Sequence, residues 1–213
     1  MAMNKYRDRI INLGKEAGAQ IVLPEMTEVR VREAARELIS MDFDILNIED
    51  FQDNLDIYLG FLNRLPFTDN WPADNLREFL NDPLHFAMAM VACDDADCLV
   101  AGAVNSSSEV IRSAIRMIGI RPTSNQVSSI FFMISPDGNS AFTFADCAVI
   151  PEPDSKQLAA IGAESAEFHH VLTGDEQLVA FLSCPTKGRA RHYCVDSGRD
   201  AVERFGNEYP QII

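Results

Sequence analysis

The spacing of apolar positions changes several times along the chain, and each change predicts an element. Charges break up the apolar positions of "MAMNKYRDRIINLGKEAG", which reads as a helix. "AQIVLPE" (Ala19–Glu25) is a short apolar run expected to form a buried strand, and "VRVREAARELISM" has the three- and four-residue spacing of a helix. The alternation repeats with "FDILNIED" as a strand and "FQDNLDIYLGFLNRL" as a helix. After a loop containing Pro66, Trp71 and Pro72 come two more helical pieces. The second starts at "DPLHFAMAMVA", with Asp82 as N-cap and Pro83 at the first helical position. A strand at Cys98–Ala103 then leads through "VNSSSEVIR" into a helix ending near Ile118. Strands alternating with helices predict an α/β architecture with a parallel sheet.

Beyond "GIRPTSNQ" the texture differs. "VSSIFFMIS" and "SAFTFADCAVI" flank "PDGN", the signature of an antiparallel hairpin. "PEPDSKQLAAIGAESAEFHHVL" predicts a long helix capped by Asp154 or Ser155. "QLVAFLS" is expected to be another buried strand, followed by "CPTKGRAR". A last helix is expected at about Gly198–Phe205, with "EYPQII" opening one more strand. The change near Thr123 divides the chain into an N-terminal α/β domain, 1–123, and a second α/β domain with the hairpin, 124–213.

With 47% hydrophobic and 23% charged positions, the 213 residues suffice for a real core. No run of about 18 apolar residues suggests a membrane span, and the N-terminus lacks the continuous apolar core of a signal peptide. The expectation is a cytoplasmic protein that does not engage membranes. Five cysteines without a CxxC pair fit reduced thiols. Cys93 and Cys98 flank "DDAD", which is either an acidic turn or a metal loop. Adjacent helical residues point about 100° apart, so His169 and His170 cannot share one ligand, and the four histidines have no zinc spacing. No metal site is expected.

A formal charge of −14 excludes the basic footprint that nucleic acid requires. Two windows run against that balance. Between Glu109 and Asp137 there are arginines at 112, 116 and 121 and no acid; between Glu176 and Asp196 lie Lys187, Arg189, Arg191 and His192, again with no acid. Such windows suit a local site for a small or medium anion. In parallel α/β sheets ligands sit beyond the carboxyl ends of strands, where helix N-termini present unpaired amides. Ser107 or Ser108 is placed to cap the helix after the Cys98–Ala103 strand, and Arg112 follows Ser108 by one turn on the same face. The corner is therefore either an anion site or a plain serine cap with Glu109 in its first turn. Thr186, Lys187 and Gly188 form a second cluster of donors, although "LSCPTKGRAR" is not a Walker A loop and reads equally as a basic surface loop.

Taken together, "IVLPEMTEVRVREAA", "DPLHFAMAMV", "DADCLVAGAVNSSSEVIRSAIRMIG", "VSSIFFMIS", "FTFADCAVIPEPDSKQLAAIGAESA" and "VAFLSCPTKGRA" resemble the phosphate acetyl/butyryltransferase family, collinearly from Ile21 to Ala190. The resemblance implies a two-domain parallel-sheet fold like that of the isocitrate dehydrogenase-like group, a dimer, and an active site in the cleft between domains. It implies acyl transfer between coenzyme A and inorganic phosphate, with acetyl-CoA, acetyl phosphate and phosphate as partners, coenzyme A as substrate and no cofactor. The family's serine-rich loop falls on Ser106, Ser107 and Ser108, and its anion-contacting arginine on Arg112. A further arginine falls on Arg64. The family's serine-threonine-lysine-glycine loop falls on Thr186, Lys187 and Gly188, with Pro185 replacing the serine.

The family continues beyond "EYPQII" to a serine-arginine pair and an aspartate that serves as base for the coenzyme A thiol. The resemblance therefore implies an incomplete second domain, a C-terminally truncated relative whose catalytic base is not among these residues, and association through uncovered apolar surface. The alternative is a non-catalytic relative that binds phosphate, coenzyme A or a full-length partner.

Overall fold

A computed structural model describes residues 5–121, 126–182 and 193–212, without the side chains of residues 193–195. The chain divides into two compact units, Gly14–Ile120 and Met1–Leu13 with Arg121–Ile213. The first helix, α1 (Lys5–Ala17), contributes to both.

In the unit Gly14–Ile120 the predicted alternation is present. β1 (Gln20–Val22), β2 (Asp44–Leu46) and β3 (Cys98–Leu99) form a parallel sheet in the order β2-β1-β3, with Ile21 opposite Ile45 and Cys98. Between β1 and β2 runs α2 (Val29–Ser40). The helix expected from Phe51 begins as a 3₁₀ segment, Ile48–Asn54, whose start is capped by the Asn47 side chain. It becomes α3 (Leu55–Leu62) only afterwards. α4 (Ala73–Leu80) and α5 (Pro83–Ala92) follow, and Asp82 caps α5 by accepting from the Leu84 amide at 2.8 Å. α6 (Ser107–Met117) completes the unit.

α5 is apolar on all sides, and a helix of that kind belongs in an interior. Leu84, Phe86 and every residue from Ala87 to Met90 are buried there, packed with Val22, Tyr58, Leu62, Leu76, Leu80 and Met117. One end of α5 opens at its cap, and that end carries the site described below.

The "DDAD" segment is the acidic turn of the two readings. Asp94 is left-handed (φ 63°), Asp95 accepts from Tyr58 Oη at 2.6 Å and Asn54 Nδ2 at 3.0 Å, and Asp97 accepts from the Gln20 amide at 2.7 Å. Its carboxylates tie β1 and α3 together. Among the described residues, no group of histidine, cysteine and carboxylate side chains is placed to hold a metal ion.

In the other unit, β4 (Ile130–Ile134) and β5 (Ala141–Ala145) form the expected antiparallel hairpin. α7 (Ser155–Thr173) is capped by Asp154, whose carboxylate accepts from the Gln157 amide while Gln157 accepts from the Asp154 amide. Such a reciprocal box satisfies two otherwise orphaned donors. α7 ends at left-handed Gly174 (φ 72°) and packs on α8 (Tyr193–Glu208). Tyr6 Oη donates to Asp175 at 2.6 Å and Arg9 Nε to the Leu172 carbonyl at 3.1 Å. These bonds place the start of α1 with this unit, whereas the sequence grouped residues 1–123 together.

Three expectations fail here. "QLVAFLS" forms no strand over its described residues: Val179 and Phe181 pack inward on Ala159, Ala163 and Phe205, while Leu178 and Leu182 are 80% and 88% exposed. An apolar run becomes a buried strand only when a neighbouring strand takes up its backbone groups, and local sequence does not carry that information. The last helix runs past Gly206 to Glu208, because glycine lowers helix stability without terminating it. Over residues 209–212 the chain turns and forms no strand, with the Ile212 amide bonded to the Tyr209 carbonyl at 3.0 Å and both side chains packed against the cluster of Ala159, Ala163 and Phe205.

Candidate active site

The loop from β3 to α6 is held by one carboxylate. Gly102 adopts φ 110°, a conformation costly for residues with a Cβ, and from there four successive amides point at Glu25. Oε2 accepts from Gly102 (2.9 Å) and Ala103 (2.7 Å), and Oε1 from Val104 (3.0 Å) and Asn105 (2.7 Å). Glu25 is 6% exposed. Burial pushes its pKa up, but the four amide hydrogen bonds outweigh that and hold it below the ordinary glutamate value. Glu25 thus fixes the path along which the chain enters α6.

The next donors are taken as well. Ser106, rather than Ser107 or Ser108, is the N-cap: its Oγ accepts from the Glu109 amide at 3.3 Å. Glu109 Oε2 reaches back to the Ser106 amide at 2.9 Å and accepts from the Ser106 hydroxyl at 2.7 Å. The Ser106 and Ser108 hydroxyls lie 3.0 Å apart. Hydrogen bonds from the Ser106 side chain and amide hold Glu109 below its ordinary pKa, with the Arg112 charge adding to the effect. A carboxylate already lies against the first turn, where the sequence suggested a bound anion.

The space for a ligand lies along the flank of α6. A cleft of about 200 Å³ is bordered by Asp82, His85, Asn105, Glu109, Arg112 and Arg116 among its polar residues. Arg112 and Arg116 are one turn apart on the same helix face, so their guanidinium groups belong to one surface. The Arg116 guanidinium also lies 5.7 Å from the Phe67 ring centroid. On the opposite wall, His85 stacks on Phe79 with ring centroids 3.7 Å apart and planes at 9°. His85 Nδ1 is 3.1 Å from the Phe79 carbonyl and Nε2 is 3.2 Å from Ser113 Oγ. A carbonyl only accepts, so Nδ1 carries the proton, and in the neutral ring Nε2 accepts a hydrogen bond from the Ser113 hydroxyl. The cleft is a polar, cation-bearing recess suited to an oxyanion.

Residues 39–213 match the model of the phosphate acetyl/butaryl transferase family. The chain belongs to that family. It is 32% identical over 234 residues to a phosphate acetyltransferase of Acetivibrio thermocellus, covering 97% of this chain and 70% of that relative. A phosphate acetyltransferase of Thermoanaerobacterium thermosaccharolyticum is also 32% identical, over 95% of this chain and 70% of its own length. Among solved structures, the EutD phosphotransacetylase of Staphylococcus aureus superposes with a TM-score of 0.79 at 28% identity, covering 98% of this chain and 71% of that one. A phosphotransacetylase of Streptococcus pyogenes shares the fold, with a TM-score of 0.75 over 97% of this chain and 69% of that one, at 24% identity.

Within the unit Gly14–Ile120, the structure brings part of the expected family site together. Arg112 lines the cleft, and Ser106, Ser107 and Ser108 form the start of the helix that carries it. Arg64 does not reach the cleft. It is exposed just after α3, and its charge acts on Cys93 at the far end of α5, about 15 Å along that helix from the cleft. Thr186, Lys187 and Gly188, like Pro185, lie outside the described residues. His169 and His170 serve the other unit, contacting Thr143 Oγ1 at 3.0 Å and the Asp175 carbonyl at 2.7 Å respectively.

The sequence reading passed over Glu25 and His85. Glu25 has no local signature, because all four of its partners lie at least 77 residues away. The Ser106–Glu109 spacing is the S-x-x-E pattern of a capping box and does identify the true cap. His85, the third residue of an otherwise apolar helix, is the one polar residue within α5 and the signal that marks it.

Proposed function

We propose that this chain transfers an acetyl group between coenzyme A and inorganic phosphate, and that the α6 cleft receives the phosphoryl group. The reading rests on membership of the phosphate acetyl/butaryl transferase family together with one observation: two arginines a turn apart border a recess beside the Glu25-pinned loop. The relatives' shared name, phosphate acetyltransferase, favours this over a non-catalytic binder.

In the direction of thioester synthesis, the coenzyme A sulfur attacks the carbonyl carbon of acetyl phosphate. The C–S bond forms, the C–O bond to phosphate breaks, and phosphate leaves with the electron pair while the thiol proton passes to a base or to solvent. Arg112 and Arg116 hold the phosphoryl oxygens, where a guanidinium supplies bidentate, charge-assisted hydrogen bonds. A guanidinium charge beside the sulfur favours the thiolate over the thiol, which ionises near pH 8.5 when unperturbed. Ser106, Ser107 and Ser108 position the start of α6. The reaction requires no metal or cofactor on this reading.

We further propose self-association through the hairpin. Phe131, Met133, Phe142 and Phe144 are each more than half exposed on one face, and Phe131 pairs with Phe144 and Met133 with Phe142. Contiguous apolar faces of this kind mark interfaces.

The direct test incubates the purified chain with acetyl phosphate and coenzyme A and follows the ultraviolet absorbance of the thioester bond. Thioester formation that saturates in both substrates is expected. A rate equal to that of the two substrates without protein would overturn the reading.

A further inference from the structure

The cleft's charges balance as long as His85 is neutral. Asp82 and Glu109 are the acids at its border and Arg112 and Arg116 the bases, and among the described residues no other charged side chain lines it. These groups come from every element at the cleft: Asp82 from the cap of α5, Glu109, Arg112 and Arg116 from α6, while α4 contributes the uncharged Phe79. Glu109 is committed to Ser106, and Asp82 Oδ1 to the Leu84 amide. A dianion entering such a recess is drawn by two guanidinium groups against two carboxylates already engaged at its border. Adding one proton to His85 makes the lining cationic.

We propose that His85 is a third ligand for the phosphoryl group in this cleft, and that its protonation gates anion binding. The ring is held ready for that role by three contacts. Phe79 stacks on one face, the Phe79 carbonyl fixes the Nδ1 proton, and Asp82 Oδ2 lies 3.8 Å from Nδ1. The second proton can therefore enter only at Nε2. In the neutral ring that nitrogen accepts from the Ser113 hydroxyl. Once protonated it becomes a donor. Ser113 must then turn its hydroxyl proton away, so Ser113 and His85 can each present a hydrogen to an oxyanion. Imidazole is the side chain whose unperturbed charge change falls between about pH 5 and 8.

The inference rests on the cleft being the phosphoryl site, and the test separates the two claims. Sulfate is a suitable probe because it stays doubly charged across the range, so any pH dependence belongs to the protein. Calorimetric titrations at about pH 5.5 and about pH 8 should show sulfate binding about tenfold tighter at the lower pH, since anion and proton binding are linked reciprocally. His85→Gln, checked for folding by its thermal midpoint, should bind with nearly equal affinity at both pH values. In the wild-type protein, the His85 ring resonance, assigned by its loss in His85→Gln, should titrate about one pH unit higher with saturating sulfate. Competition by inorganic phosphate and by adenosine 3′,5′-bisphosphate tells a free phosphate site from one for the phosphate ester of coenzyme A. If Arg112→Ala leaves sulfate affinity unchanged, the cleft reading falls and this proposal with it. If Arg112→Ala weakens binding but His85→Gln keeps the tenfold ratio, or sulfate leaves the His85 titration unmoved, only the role of His85 is overturned.

Discussion

Each unit of this chain contains a carboxylate that gathers backbone amides from a loop between a strand and a helix, yet only one of those loops borders a cleft. In Gly14–Ile120, Glu25 binds the amides of Gly102 to Asn105. In the other unit, Asp146 Oδ1 accepts from the Ser129 amide and hydroxyl, and Oδ2 from the amides of Val149 (2.9 Å) and Ile150 (2.7 Å). The Ser129 hydroxyl oxygen in turn accepts from the Cys147 and Ala148 amides at 3.0 and 2.9 Å. In both places a side chain takes up the amides of a turn whose donors no neighbouring strand reaches. The difference lies downstream. The Glu25 loop leads straight into α6, with Arg112 and Arg116 beside a recess. The Asp146 loop leads into the proline-rich "PEPD" and the capping box of α7. A pinned loop is thus a structural device, and the residues on the following helix decide whether it serves chemistry.

The first way to break this comparison is Glu25→Gln. The amide can accept through one oxygen only, and it turns its own donors toward two of the four backbone N–H groups. Each partly buried donor left unpaired costs up to about 1–3 kcal/mol, so a loss of about 2–4 kcal/mol is expected by denaturant titration, with sulfate binding abolished at the same time. Stability unchanged within error would show that the four bonds do not organise the corner.

Asp146→Ala should have a smaller effect, about 2–3 kcal/mol, because the Ser129 hydroxyl remains as an acceptor for two amides of the same loop. Anion affinity should survive it, since the cleft belongs to the other unit. A parallel loss of sulfate binding would contradict the division of roles. Burial alone would raise the Asp146 pKa, but hydrogen bonds from Ile150, Ser129 and Val149 outweigh it and lower the pKa to about 2. The stabilisation is therefore fully present above the unfolded aspartate value, near 3.9, and disappears as pH falls toward about 2. A wild-type chain that loses stability through that window while Asp146→Ala does not would sharpen the assignment.

Gly162→Ala tests the packing of α7. A Cβ at that position would lie 2.9 Å from Phe181 and 3.2 Å from Phe205. Alanine gains helix propensity, but the clash forces the aromatic pair apart, for a net loss of about 1–2 kcal/mol in thermal or denaturant unfolding. A more stable variant would mean that Phe181 moves aside freely, and that the inward half of "QLVAFLS" contributes little.

Local rules account for much of this molecule. Asp82 with Pro83, Asp154 with Gln157, and the turn between the two hairpin strands depend on residues within a few positions of one another, and each forms as its spacing predicts. The parallel pairing of β1 with β2 and β3 follows from alternating strands and helices. What the sequence concealed depends on distant partners. Leu178 and Leu182 have the pattern of a buried strand but lie exposed, because burial needs a neighbour that the pattern does not name. Glu25 resembles any acid after a strand until the amides of Gly102–Asn105 are folded against it. The serine corner was legible as a site for negative charge, and the structure shows how the chain's own Glu25 and Glu109 meet that preference. The place for a ligand is the recess one turn further along α6.

The measurement that bears most directly on the central claim is kcat/KM for acetyl phosphate in Arg112→Ala, with the thermal midpoint as a check on folding. Arg112 is exposed at the cleft and contributes little to the core, so the midpoint should hold. If the guanidinium holds the phosphoryl group during transfer, kcat/KM should fall by about a hundredfold or more. A folded Arg112→Ala protein with wild-type kcat/KM would contradict the account and return α6 to the role of a well-capped helix.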